Sequence, residues 1–167
     1  MKTFTEASLQ INGDGVDPEI CSRLLGVLPD IKWKKGDVIR VDTDGTIRTR
    51  PSGLWGYDAE KHVQHSDPYD PLLLVNHIIQ VFSGKRAQFD QIHKSMGDGE
   101  KPDIELDWFE TNKYITVTLS ITWGVPHGSY ILEKRLLETI LNMGVDAVRC
   151  FFVSVDYPQE DEEKMDD

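Results

Sequence analysis

Three segments of the chain alternate apolar and polar residues with a period of two, and this constrains the fold more than any other feature. Phe4 to Ile11 sets Phe4, Glu6, Ser8 and Gln10 against Thr5, Ala7, Leu9 and Ile11. Asp103 to Trp108 sets Asp103, Glu105 and Asp107 against Ile104, Leu106 and Trp108. Ile115 to Trp123 sets Thr116, Thr118, Ser120 and Thr122 against Ile115, Val117, Leu119, Ile121 and Trp123. Successive side chains of a strand point to opposite faces, so one apolar side means a sheet with one face on a core and the other toward water.

Helices supply that core's other layer. Asp17-Pro18 opens the first: a carboxylate can accept from free first-turn amides, and proline fits the first helical position. Ile20, Leu24 and Leu25 share a face, and Gly26 can close the helix in a left-handed cap. Asp70-Pro71 opens a second helix in the same manner, with Leu74, Ile78, Val81, Phe82, Phe89, Ile92 and Met96 at helical spacing up to Gly97. Gly84 lies inside that pattern as a point of kinking or breakage. A third helix begins near Ser129, carries Leu132, Leu136, Leu137, Ile140 and Leu141, and stops at Gly144.

Val38 to Val41 and Thr46 to Arg48 flank Asp42-Thr43-Asp44-Gly45, which marks a hairpin. Thr111-Asn112-Lys113 joins the second and third alternating strands in another. A short strand near Leu54 to Tyr57 and a buried strand from Ala147 to Val155 complete the set. The expected fold is α+β: a single, mainly antiparallel sheet with three helices, arranged as a ferredoxin-like α/β sandwich of two βαβ halves. Residues 1–157 form one domain and 158–167 an acidic disordered tail.

At 167 residues the chain is long enough to bury a core without disulfides or a structural metal. Its net charge is −11, of which residues 156–167 carry −6. A negative surface repels phosphate backbones, which argues against nucleic acid, and steers basic proteins toward it. No apolar run reaches bilayer length and the first residues lack a signal-peptide core, so a cytoplasmic protein without membrane contact is expected. Cys21 and Cys150 are far apart and form no Cys-x-x-Cys, which reads as two small buried thiols in a reducing compartment.

Catalytic fingerprints are missing. Gly84-Lys85 lacks the upstream glycine of a phosphate loop and precedes Arg86, and Asn12-Gly13-Asp14-Gly15 lacks a dinucleotide loop's third glycine. Asp42-Thr43-Asp44-Gly45 reads as a turn, without the remaining ligands of a calcium loop. His62 and His65, followed by Asp67 and Asp70, form a weak metal candidate in a polar connection that gives no rigid support. His77, His93 and His127 stand alone. The row Asp103, Glu105 and Asp107 places carboxylates about 6.5 to 7 Å apart on one strand face. Beside the Thr116 to Thr122 hydroxyls it can form a polar docking face, although such a row is more often a solvated one. Trp108 and Trp123 lie on apolar strand faces and read as core. Trp33 and Trp55 stand next to loops, where they are candidate ligand contacts together with Asp37.

Residues 7 to 18, ending in Gly13-Asp14-Gly15-Val16-Asp17-Pro18, lead to Leu24-Leu25-Gly26, then Trp33-Lys34-Lys35-Gly36-Asp37, then Gly53-Leu54-Trp55. This order resembles a bacterial family catalogued as domain of unknown function 4279, over about residues 4 to 155. The chain departs from it in the hairpin from Val38 to Arg50, where a shorter connection is expected. The resemblance implies a compact α+β domain and carries no activity, cofactor or catalytic residue. The expected function is therefore a non-enzymatic module that docks a basic protein partner, such as an immunity-type protein neutralising a basic toxin. The alternative is a small-molecule or metal-binding protein, or a hydrolase, with a pocket near Trp33, Trp55 and His62/His65. A subunit of a larger assembly is a third reading, and no cofactor is expected.

Overall fold

The computed structural model describes residues 5–64, 71–96, 116–125 and 133–154. Strand β1 (Thr5–Gly13) occupies the centre of a five-stranded sheet. Helix α1 (Pro18–Leu25) follows, then the short strand β2 (Ile31–Trp33), which the alternation rule did not reveal because three residues hold no period. Strands β3 (Val38–Val41) and β4 (Ile47–Thr49) pair only with each other, as a separate two-stranded sheet. Strand β5 (Gly53–Asp58) returns to the main sheet and leads through a 3₁₀ turn (Ala59–Lys61). Helices α2 (Pro71–Phe82) and α3 (Arg86–Met96) precede strand β6 (Thr116–Val125), helix α4 (Lys134–Asn142) and strand β7 (Ala147–Ser154).

The order across the main sheet is β2-β5-β1-β6-β7. The first four strands pair antiparallel, and β6 and β7 pair parallel. Because β2 and β1 are each antiparallel to β5, they run parallel to one another, with α1 as their crossover. The second crossover, α4, joins the adjacent parallel pair β6 and β7. Each crossover meets the requirement that parallel strands be joined by a long connection.

Two expectations about the fold need correction. The sheet is not single, since the β3–β4 hairpin stands apart. Four α-helices, not three, occur among the described residues, because the long second pattern breaks at Gly84, where φ is 76°. The break has a use. Lys85 Nζ donates to Leu25 O at 2.7 Å, at the end of α1. Arg86 Nη1 reaches Asn142 O at 3.3 Å and Leu141 O at 3.5 Å, at the end of α4. Two cations at one bend thus meet carbonyls at the ends of two other helices, where the helix dipole favours positive charge.

The core lies between one face of the sheet and the helices. Ala7, Leu9 and Ile11 of β1 are fully buried, beside Leu119 and Ile121 of β6 and Trp55 and Tyr57 of β5. Leu74, Val75, Ile78 and Phe82 of α2, Phe89 and Ile92 of α3, and Ile140 of α4 close over them. Helix α1 is capped as its sequence requires: Asp17 Oδ1 accepts from the Glu19 amide at 2.9 Å, Pro18 takes the first helical position, and Gly26 ends it at φ 67°. Cys21 is buried, and burial with the nearby Asp17 charge pushes its thiol up to about 12. Cys150 is exposed on β7, against the expectation of two buried thiols. The third expected helix, here α4, begins at Lys134 after an extended Glu133, later than the expected start near Ser129. The strand expected at Asp103 to Trp108, its hairpin turn, Asp70 and the acidic tail lie outside the described residues.

Candidate functional site

The sheet face turned away from the helices is polar, and no described element covers it. Glu6, Ser8 and Gln10 of β1 stand in register with Thr122, Ser120 and Thr118 of β6, and Ser8 with Asp58 of β5. Glu6, Ser8, Gln10, Asp58, Ser120 and Thr122 line an open cleft of about 450 Å³. Ile31 of β2 gives one wall an apolar patch and is 45% exposed. Lys61 and Arg149 bring positive charge to its margins. A glycine sets the depth on the β2 side: a Cβ at Gly56 would lie 2.5 Å from Ile31 Cγ2 and 3.9 Å from Gln10 Cγ. Its bare backbone lets those two side chains lie across β5.

The charge of the cleft concentrates at one end. Partial burial, followed by the carboxylates of Glu60 and Asp58, raises the Glu6 carboxyl above its ordinary value. Lys61 Nζ lies 3.8 Å from Asp58 Oδ2 and compensates part of this charge at an exposed distance. A cation entering the cleft would relieve the repulsion that Glu6 now bears.

A second cluster sits on the helix side of the same strand end. The ring of Tyr57 stacks on His62, with centroids 4.5 Å apart and planes 6° from parallel. Tyr57 Oη lies 2.9 Å from His77 Nε2 of α2. His62 Nε2 donates to Asp30 Oδ2 at 2.9 Å, and the same carboxylate accepts from the Asp58 amide at 2.8 Å. Burial pushes the Asp30 carboxyl up, but the Asp58 amide and His62 outweigh it and hold the carboxyl below its ordinary value. Burial, and then the charge of His62, lowers the pKa of His77. Burial, and then the Asp30 charge, raises that of Tyr57.

The residues singled out from sequence are scattered across this frame. Trp55 is fully buried and its Nε1 donates to Ser22 Oγ at 3.1 Å, so it is part of the core and not a ligand contact. Trp33 pairs with Leu54 on β5, one residue out of phase with Trp55, and alternation puts the two rings on opposite faces. Trp33 instead stacks under the Arg50 guanidinium, 4.0 Å from its ring centroid. Asp37 Oδ2 accepts from the Lys34 amide at 2.7 Å and closes the turn into the hairpin. Trp33 and Trp55 therefore do not converge on one pocket with His62 among the described residues. His62 is engaged by Asp30 and Tyr57, and among the described residues no group of three or more His, Cys, Asp or Glu could hold a metal ion. His65, Asp103, Glu105 and Asp107 lie outside the described residues.

Glu6, Ser8 and Gln10 are legible in the sequence as the polar side of a strand, but nothing local distinguishes them from solvated residues. Asp30, Tyr57 and His77 had no such signal, since only the tertiary fold brings a loop, a strand and a helix to one point. A model for a family described as a domain of unknown function matches residues 2–107. That stretch runs from β1 past α3 and ends well short of the 155 expected from the sequence motifs. No curated protein and no solved structure matches the chain.

Proposed function

The chain belongs to the DUF4279 family of domains of unknown function, and on that premise we propose that it is a non-enzymatic binding module whose working surface is the open polar face of its sheet, occupied by a basic partner. The observation that carries this reading is the end of the cleft lined by Glu6 and Asp58, where partial burial and then the charges of Glu60 and Asp58 hold Glu6 above its ordinary pKa. Carboxylates that repel one another in the free protein gain when a lysine or arginine side chain enters between them, and strand hydroxyls at Ser120 and Thr122 offer further hydrogen bonds. The net charge of −11 steers such a partner toward the molecule. An immunity-type protein that neutralises a basic toxin has this chemistry, and a cytoplasmic setting fits it.

The test is calorimetric titration with a short polylysine peptide across a salt series. Binding should weaken as salt rises, and Glu6→Gln should weaken it several-fold at low salt, about 1 kcal/mol. Binding that neither variant nor salt alters would remove this reading. The alternative, a small-molecule site, draws on the Asp30–His62 pair beside the Tyr57–His77 pair. A ligand for that cluster would raise the melting temperature of the parent in a metabolite and metal screen, and leave His62→Gln unmoved.

A further inference from the structure

Strand register sets the charges of the open sheet face in a row. Asp58 of β5 faces Ser8 of β1, Ser8 faces Ser120 of β6, and Ser120 faces Arg149 of β7. All four line the same cleft. The row crosses three inter-strand steps of about 4.8 Å, so the backbones at Asp58 and Arg149 stand about 14 Å apart. It runs from a carboxylate, through two hydroxyls, to a guanidinium. Glu6, two residues before Ser8 on the same face of β1, adds a second carboxyl at the negative end.

The two ends of the row suit opposite charges on a ligand. At Asp58 and Glu6 a cation relieves like-charge repulsion, and the exposed Lys61 ammonium, 3.8 Å from Asp58, compensates only part of it. At the far end the planar guanidinium of Arg149 presents paired N–H donors, the geometry that fits a carboxylate. The middle continues this polarity. Gln10 Nε2 donates to Ser8 Oγ at 3.2 Å, so Ser8 accepts there and keeps its own O–H to donate. The arginine stem and the aspartate methylene take up part of the span, which leaves room for a few carbon atoms between the ligand's charges. A volume of about 450 Å³ is that of a small-molecule site.

We propose that the cleft binds a ligand with two charged ends, its ammonium or guanidinium at Asp58 and Glu6 and its carboxylate at Arg149, joined by a short aliphatic stem. A free basic amino acid has this chemistry, and so does the carboxy-terminal lysine or arginine of a protein. The proposal rests on the proposed function and deepens it by naming which basic group the cleft selects. An internal lysine fills one end of the row only.

The experiment is calorimetric titration of the full chain at low salt with Nα-acetyl-lysine and with its carboxamide, which share the cation and differ in the carboxylate. The acid should bind the parent about tenfold more tightly than the amide, the worth of one charge-assisted contact. Arg149→Gln should bring the acid down to the amide, and Glu6→Gln should weaken both probes alike. Free lysine and the tripeptide Ala-Ala-Lys then separate the two sources, and the tighter of them identifies which one the cleft is built for. Equal affinity of acid and amide for the parent overturns the proposal, as does a preference that Arg149→Gln leaves in place. Polylysine titrated in parallel separates the two readings. Salt-sensitive polylysine binding without a preference for the acid removes the two-ended ligand and leaves the proposed function standing. Failure of polylysine and of both probes to bind defeats both.

Discussion

Trp55 shows how one side chain can belong to two layers at once. Its ring is fully buried against Phe82, edge to face at 6.1 Å, while its Nε1–H is satisfied by Ser22 of α1. Trp55→Phe keeps an aromatic body but leaves Ser22 bonded only to Pro18 O, and should cost about 1 to 2 kcal/mol of stability. The midpoint of urea unfolding measures this. His77 makes a prediction with a sign. Its folded pKa lies below the ordinary 6.5, so below 6.5 the unfolded chain binds more protons than the folded one. Stability should fall as pH drops through that window, and His77→Gln should flatten the decline between pH 7.5 and 5 in thermal melts. An unchanged slope would place the acid sensitivity elsewhere. Neither partner of these residues could be read from sequence. Trp55 sits 33 positions from Ser22 and His77 20 positions from Tyr57, and separations set by tertiary packing leave no periodic trace.

The bend at Gly84 gathers the ends of three helices. Lys85→Met would keep most of the side chain's apolar stem and remove the donor to Leu25 O, at an expected cost of about 1 to 2 kcal/mol. A guanidinium chloride melt of this variant should shift its midpoint without changing its slope. Elements with many residues at one period were legible: β1 and β6 through alternation, α1 through its Asp-Pro start and glycine stop, the hairpin through Asp-Gly. The longest helical pattern misled for a physical reason. Apolar residues on both sides of Gly84 keep helical spacing because α2 and α3 both pack on the same core, and the spacing alone does not reveal a change of axis between them. Strand β2 escaped because three residues, two of them exposed, show no alternation. The parallel β6–β7 pair was implied by the strand-helix-strand order and given by nothing shorter.

On the scale of the molecule, the helices pack on one face of the sheet, and the charges on the other face link stability to pH. Glu6 has a raised folded pKa, so the folded chain holds the proton more tightly than the unfolded one, and stability is lost as pH rises from about its ordinary value of 4.5 through the raised one. Glu6→Gln should therefore raise the melting temperature at pH 7 by more than it does at pH 4. Polylysine, by favouring the ionised form, should bind the parent more tightly as pH climbs through the same range. A gain from Glu6→Gln that is equal at both pH values would mean that charge crowding is not its source.

The hairpin adds a different kind of consequence. Its aliphatic side chains are exposed among the described residues, and its base is held by the Trp33–Arg50 stack, two exposed ion pairs and backbone hydrogen bonds between Gly36, Asp37 and Arg50. The fold therefore places almost no demand on the identity of residues 38–49. Replacing them with a two-residue turn should leave the five-stranded sheet and its melting behaviour intact. Whatever holds that stretch to a particular sequence must come from outside the folding of the described core, which makes the hairpin free to be retuned for a new contact without renegotiating the sheet.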